Sequence, residues 1–222
     1  EMVNRLRSLG YVGGGTSPPG AAGSNPGRDP KDMVGAFRAH SKAVDLQLKE
    51  RYAEVLPIME RLVQESPESV EFFNTLGIAY LELGRAADAE KAFAASLRIA
   101  PDNARRLWRM GEALSRQNKL DEAVIHLEAS LAIAPDLAVA HCTLGDILGQ
   151  RGKAAEAIKH YLAAVSASAN LGKAHGRLGV AYAQQKKFAE AEKHLRRYVE
   201  LEPTSPHALA NLGNVLFELR RA

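Results

Sequence analysis

The hydrophobic pattern changes at about Lys31. From there on the sequence is helix-forming, with apolar residues four apart on shared faces: Leu76 with Tyr80, Leu144 with Leu148. The pattern recurs every 34 residues: Gly77, Gly111, Gly145, Gly179 and Gly213 form one column at that spacing. Ala89, Ala123, Ala157 and Ala191 form a second, and Pro67, Pro101, Pro135 and Pro203 a third. Since glycine makes up roughly 7% of an average sequence, the glycine column alone has a chance probability on the order of 10⁻⁵. The columns predict antiparallel helix pairs. Gly and Ala remove side-chain bulk where two helices cross, allowing approach at the short end of the usual range of about 8–10 Å. Asn118 or Gly152 supplies the break between paired helices, and Asp121, Glu122 or Glu156 places acid near the next helix N-terminus. The prolines stop the second helix of each pair.

These positions match the pattern W-x₂-L-G-x₂-Y…A-x₃-F…P, best in 70–103, where Phe73, Leu76, Gly77, Tyr80, Ala89, Phe93 and Pro101 occupy it. The chain therefore resembles the tetratricopeptide-repeat family over roughly residues 36 to 222. The resemblance implies an all-α fold, a right-handed superhelical solenoid of antiparallel helix pairs, within an array spanning 31–222. A degenerate repeat at 36–69 is followed by 70–103, 104–137, 138–171, 172–205 and a half repeat at 206–222. Three departures stand out. Ala169 replaces a column proline, which predicts a softer junction around Ser168–Asn170; Lys42-Ala43 stands where Leu-Gly is expected; and Pro57 falls within a second helix. The last helix, about 206–219, carries Leu209, Leu212, Val215, Leu216 and Leu219 with no second helix to cover them. Fraying, or self-association through this end, is expected.

Residues 13–30 hold six Gly and four Pro and read as a flexible linker. Before them, residues 1–12, EMVNRLRSLGYV, resemble the closing segment of bacterial sulfatase domains, in which a Gly/Pro-rich spacer leads into repeats through a stretch like Asp29-Pro30-Lys31-Asp32. That resemblance implies that the chain is the carboxyl part of a sulfatase-like hydrolase. It transfers no activity, because a C/S-x-P-x-R motif is absent and Cys142 sits in Cys-Thr-Leu-Gly-Asp.

Composition narrows the function. Aromatics make up only 6% of the chain, which suits thin, Ala-rich helix pairs. The net charge of +3 is diffuse and argues against nucleic acid. A single cysteine, Cys142, excludes an internal disulfide or a thiolate metal cluster. No stretch reaches the roughly 18–20 apolar residues of a membrane span. Hydrolase, zincin and P-loop motifs are missing; Gly152-Lys153 runs into Ala154 without the required spacing or hydroxyl. The repeat itself therefore reads as non-enzymatic, with no cofactor. His126, His160 and His194 share the 34-residue spacing, as do His141 and His175. Equivalent positions lie about 8–10 Å apart, too far to share a zinc that needs donors at about 2.0–2.1 Å, so no metal is expected and the imidazoles read as half-buried helix residues. Cys142 beside His141 reads as inert, since adjacent helical side chains diverge.

The family resemblance further implies a concave groove lined by the first helices. Its candidate partner-binding residues are Asn74, Ile78, Leu81, Arg105, Trp108, Arg109, Glu112, Asp146, Lys173, Arg177, Asn211 and Asn214, with Cys142, Thr143, Val180 and Phe217 at neighbouring positions. Trp108, the single tryptophan, lies between Arg105 and Arg109, the composition of a binding hot spot. Arg105/Arg109 and Lys173/Arg177 repeat a basic pair four apart. This is similar to half of the carboxylate clamp of chaperone-adaptor repeat proteins, but Val44, Thr75, Glu112 and Thr143 stand where its asparagines belong. The reading is a protein- or peptide-binding scaffold with a preference for acidic or carboxylate-bearing ligands. Its rivals are an accessory surface for sulfated glycans and a structural dimerisation module. Export to the periplasm or outside the cell follows if the sulfatase resemblance holds, and a cytoplasmic location otherwise.

Overall fold

A computed structural model of the chain describes residues 30–221. The segments read as a sulfatase-like tail and as a linker lie outside the described residues, except Pro30, which begins the first helix. Among the described residues there are eleven helices and no strand. They are α1 (Pro30–Leu48), α2 (Tyr52–Glu65), α3 (Val70–Glu82), α4 (Ala86–Ile99), α5 (Ala104–Arg116) and α6 (Leu120–Ile133). Then come α7 (Ala138–Gln150), α8 (Ala154–Ala167), α9 (Gly172–Gln184), α10 (Phe188–Leu201) and α11 (Pro206–Leu219). Odd-numbered helices are the first members of each repeat and even-numbered helices the second.

The turn inside each repeat has a definite geometry. Glu50, Gly84, Asn118, Gly152 and Lys186 recur every 34 residues, and all adopt positive φ between 57° and 76°. Around Gly84, the Arg85 amide donates to Tyr80 O and the Gly84 amide to Leu81 O, which closes the helix as a Schellman motif. Lys119 to Leu114, Lys153 to Leu148 and Lys187 to Tyr182 repeat the longer bond. Gly152→Val would force a β-branched residue into this left-handed conformation. The expected loss is about 1–2 kcal/mol, read from the thermal midpoint. Three first helices carry side-chain caps: Ser69 accepts from the Phe72 amide, Asn103 from Arg106 and Ser205 from Ala208. The even helices instead place Glu54, Asp88, Glu156 or Glu190 in the first turn, complementing the helix dipole.

The chain divides into two compact units, one ending at His126 and the other starting at Leu127. In the first, α1 to α4 enclose Ala43, Leu46, Val55, Met59, Leu62, Leu76, Ala79 and Ala92. Glycine is required at the crossing of α3 and α4, where a Cβ on Gly77 would sit 2.6 Å from the Phe93 ring. The degenerate first repeat solves the same crossing differently, with buried Ala43, Val55 and flexible Met59 in the places of Gly77, Ala89 and Phe93. Pro57 is accommodated inside α2.

In the second unit, Ala138, Cys142, Ala164 and Ala174 form one buried cluster, and Ala191, Leu195 and Val215 another. The helix α11 docks on α10 through Val215, with Leu212 and Leu219 partly covered, while Leu209 and Phe217 stay exposed. At the junction carrying Ala169, the Leu171 amide donates to Ser168 O, the same bond that Leu137 and Ser205 make at junctions with proline. Within each unit successive odd helices touch (α1 with α3, α3 with α5, α7 with α9, α9 with α11), whereas α2 and α4, and α8 and α10, do not among the described residues. The odd helices therefore form the inner side locally.

Candidate functional site

A concave surface lies on the odd-helix side of the second unit. A cavity of about 540 Å³ is lined by Lys173, Gly176, Arg177, Val180, Tyr198 and Asn211, with Glu202 and His207 completing it. A second, of about 360 Å³, adjoins it, sharing Arg177 and Val180 and adding Asp146, Tyr161, Ala181 and Gln184. Two glycines open this surface. A Cβ at Gly145 would lie 2.6 Å from the Tyr161 ring, and one at Gly176 would lie 2.7 Å from the Tyr198 ring. Each glycine on an odd helix thus lets a tyrosine from the paired even helix reach through to the inner face.

The tyrosines are tied into a polar network. The Tyr161 hydroxyl donates to Asp146 Oδ1 at 2.8 Å, and Arg177 Nε pairs with the same oxygen at 3.0 Å. Burial first, and the Asp146 carboxylate second, push the Tyr161 phenol well above its ordinary range, so it stays a donor at any physiological pH. Tyr198 places its hydroxyl 3.4 Å from Ser205 Oγ. Lys173 is exposed, and no ion pair holds it among the described residues. The surface is therefore mixed in charge: Lys173 and Arg177 against Asp146 and Glu202. That mixture suits a ligand with both apolar and polar groups.

Residues 69–136 and 142–206 match models of the tetratricopeptide repeat. The chain belongs to the tetratricopeptide-repeat family. Among solved structures, TTC0263, a thermophilic tetratricopeptide protein of Thermus thermophilus, superposes with a TM-score of 0.71 at 18% identity, covering 82% of this chain and 99% of that one. Pseudomonas aeruginosa pilF gives 0.70 at 13% identity over 87% of this chain and 93% of its own. YrrB, described as a tetratricopeptide protein with an unusual peptide-binding site, gives 0.56 at 16% identity over 94% and 96% of the two chains. At these identities the likeness speaks for the fold. No curated protein sequence matches the chain.

The tetratricopeptide frame places the sequence candidates unevenly. Leu81 is fully buried, which corrects its assignment to the groove: its helix face turns into the core, and no ligand reaches it. Trp108 is half-buried rather than exposed, with the Arg109 guanidinium 4.3 Å from its ring centroid. Arg109 also pairs with Glu112 at 3.0 Å and approaches Glu82 at 3.9 Å, while Arg116 holds the other Glu112 oxygen at 3.0 Å. Glu112 is thus enclosed by two arginines of its own helix, and Arg109 is largely neutralised. Asn74 and exposed Arg105 line a small cavity of about 230 Å³ in the first unit. Ile78 is half-buried. Asn211 joins the large cavity, and Asn214 is exposed and lines none of the three.

The basic pairs are thus not two free clamps, since Arg109 and Arg177 each have a carboxylate partner. Cys142 is buried and its thiol is pushed up to about 11, by burial first and Asp146 next, so it is a poor nucleophile. Sequence reasoning missed Tyr161 and Tyr198 as groove residues, because both belong to second helices. The signal was available at Gly176, a glycine where the other first helices carry His40, Asn74, Trp108, Cys142 and Ala210.

Proposed function

We propose that this tetratricopeptide array binds a protein or peptide segment along the odd-helix face of its second unit, from Asp146 to Asn211. The observation that carries this reading is the continuity of the two cavities through Arg177 and Val180, floored by Tyr161 and Tyr198. Rigid aromatics beside accessible polar groups are the chemistry of interface anchors. Lys173 is the cation best placed to meet an acidic side chain or a terminal carboxylate, while Arg177 shares its charge with Asp146. The peptide-binding site ascribed to YrrB, on the same fold, adds support.

A displayed random-peptide library selected on the wild-type chain tests the proposal. Val180→Arg fills the seam between the cavities from a half-buried position and should weaken selected peptides at least tenfold. Its thermal midpoint should stay close to wild type. Selected peptides that bind the variant equally well would overturn the site. Lys173→Ala should weaken acidic peptides selectively, by about 0.2–1 kcal/mol and less at high salt, because exposed charge contacts are worth little and are screened. Binding of heparin with a steep salt dependence, and of no peptide, would favour the glycan-accessory reading instead.

We also read the array as the carboxyl part of a sulfatase-like hydrolase. This rests on residues 1–12, which neither family match reaches. The genomic sequence upstream of Glu1 decides it: a domain with a C/S-x-P-x-R motif is expected, and its absence removes the attachment along with the inferred export.

A further inference from the structure

Two repeats of the second unit contain the same histidine pair. In 138–171, His141 on α7 places Nδ1 3.0 Å from Nδ1 of His160 on α8. In 172–205, His175 on α9 places Nδ1 3.2 Å from Nδ1 of His194 on α10. The ring centroids are 5.3 and 5.4 Å apart. The 34-residue spacing considered in the sequence separates equivalent histidines of different repeats. The close pairs are instead non-equivalent positions of one repeat.

Proton positions follow from the outer contacts. His141 Nε2 lies 2.9 Å from Pro135 O, and His175 Nε2 lies 3.2 Å from Ala169 O. A carbonyl only accepts, so both Nε2 atoms carry hydrogen, and in the neutral ring Nδ1 is a bare lone pair aimed at the partner ring. Such a carbonyl-anchored imidazole is the arrangement that orients histidine as a metal ligand. The partner, His160 or His194, need only carry its proton on Nε2 to offer a second lone pair. Two nitrogens about 2.0–2.1 Å from one ion, at angles between square and tetrahedral, stand about 2.8–3.4 Å apart. Both observed separations fall inside that range.

We infer that each of these two repeats offers a two-histidine site for a borderline divalent ion such as Cu²⁺, Ni²⁺ or Zn²⁺, with Nδ1 of His141 and His160, or of His175 and His194, as the protein ligands. No third His, Cys, Asp or Glu joins either pair among the described residues, so water completes the coordination and affinity is modest. Metal-to-nitrogen bonds would clamp α7 to α8 and α9 to α10, stiffening the repeats whose inner faces carry the two cavities. His126 stands at the position of His160 one repeat earlier, but there Leu107 takes the place of His141, so the second imidazole of a pair is missing.

Calorimetric titration of the chain with Zn²⁺ tests the sites. Two ions per chain are expected, one lost in His160→Gln, one in His194→Gln and both in the double variant, while His207→Gln keeps both. Circular dichroism confirms that each variant is folded. Continuous-wave paramagnetic resonance of Cu²⁺ added to the wild-type chain needs no variant, and should show two coordinated nitrogens per ion. A stoichiometry indifferent to His160→Gln and His194→Gln, loss of ions with His207→Gln, or no binding by millimolar Zn²⁺ would each overturn the inference.

Discussion

Replacing Gly145 with leucine should destabilise the second unit by about 3 kcal/mol, the upper end of the range for overpacking. Even the Cβ alone would stand 2.6, 2.8 and 3.1 Å from three carbons of the Tyr161 ring. That ring cannot swing aside freely, because it is buried and its hydroxyl is held by Asp146 at 2.8 Å. Displacing it breaks a hydrogen bond to a charged acceptor, itself worth about 1.5–3 kcal/mol, and releases Arg177 from its shared carboxylate. Ligand binding should therefore fall together with stability. Repeats contact chiefly their neighbours, so amide exchange should accelerate in 138–171 more than in 70–103. A thermodynamic cycle isolates the cause: Gly145→Ala and Tyr161→Ala together should cost less than the sum of the single changes, by about 1–2 kcal/mol. Strict additivity, or uniform exchange along both units, would refute the packing account.

The sequence revealed the fold because its glycine and alanine columns are statements about helix crossings. Gly77 against Phe93, Gly145 against Tyr161 and Gly179 against Leu195 are three copies of one contact, with any added Cβ within 2.6 Å of the facing side chain. The intra-repeat break was legible at Asn118 and Gly152 but not at Glu50 and Lys186, which adopt the same left-handed backbone without its usual residues. There the Schellman bonds of the turn impose the conformation on side chains that would otherwise avoid it.

The site was less legible, for a physical reason. A position rule for first helices finds Lys173, Arg177 and Asn211, which lie on the inner face whatever their neighbours. It does not register that Asp146 takes Arg177, or that Glu112 takes Arg109, because ion pairing depends on side-chain reach across a turn or between repeats. Nor does it register a large residue on a second helix that passes through a gap left by glycine, as Tyr198 does at Gly176. The histidine pairs escaped in the same way: position 4 meets position 23 across a helix crossing, a relation that the 34-residue spacing hides.

Acid should unfold the chain early, and His126 should be the largest single contributor. Its side chain is fully buried, and burial pushes the imidazolium down to about 4 from an ordinary 6.5, against a smaller opposing pull from Glu90. The unfolded chain therefore binds a proton at His126 that the folded chain refuses. Stability from this residue is fully present above pH 6.5 and is lost as pH falls from there toward 4, by roughly 3 kcal/mol in total. His40, His160, His175 and His194, all lowered chiefly by burial, add to the slope in the same direction. Asp88, whose carboxyl is lowered by hydrogen bonds from Arg85 and Lys91, weakens the fold only at still lower pH. His126→Leu keeps side-chain volume near that of the imidazole, as Ala92 at the equivalent position one repeat earlier would not. Urea unfolding at pH 7 and pH 4.5 should show the wild-type midpoint falling steeply and that of the variant falling less. The difference should approach about 2–3 kcal/mol. Parallel pH profiles for the two proteins would mean that His126 gains a proton without cost, and that the acid sensitivity belongs to the other histidines lowered by burial, His40, His160, His175 and His194.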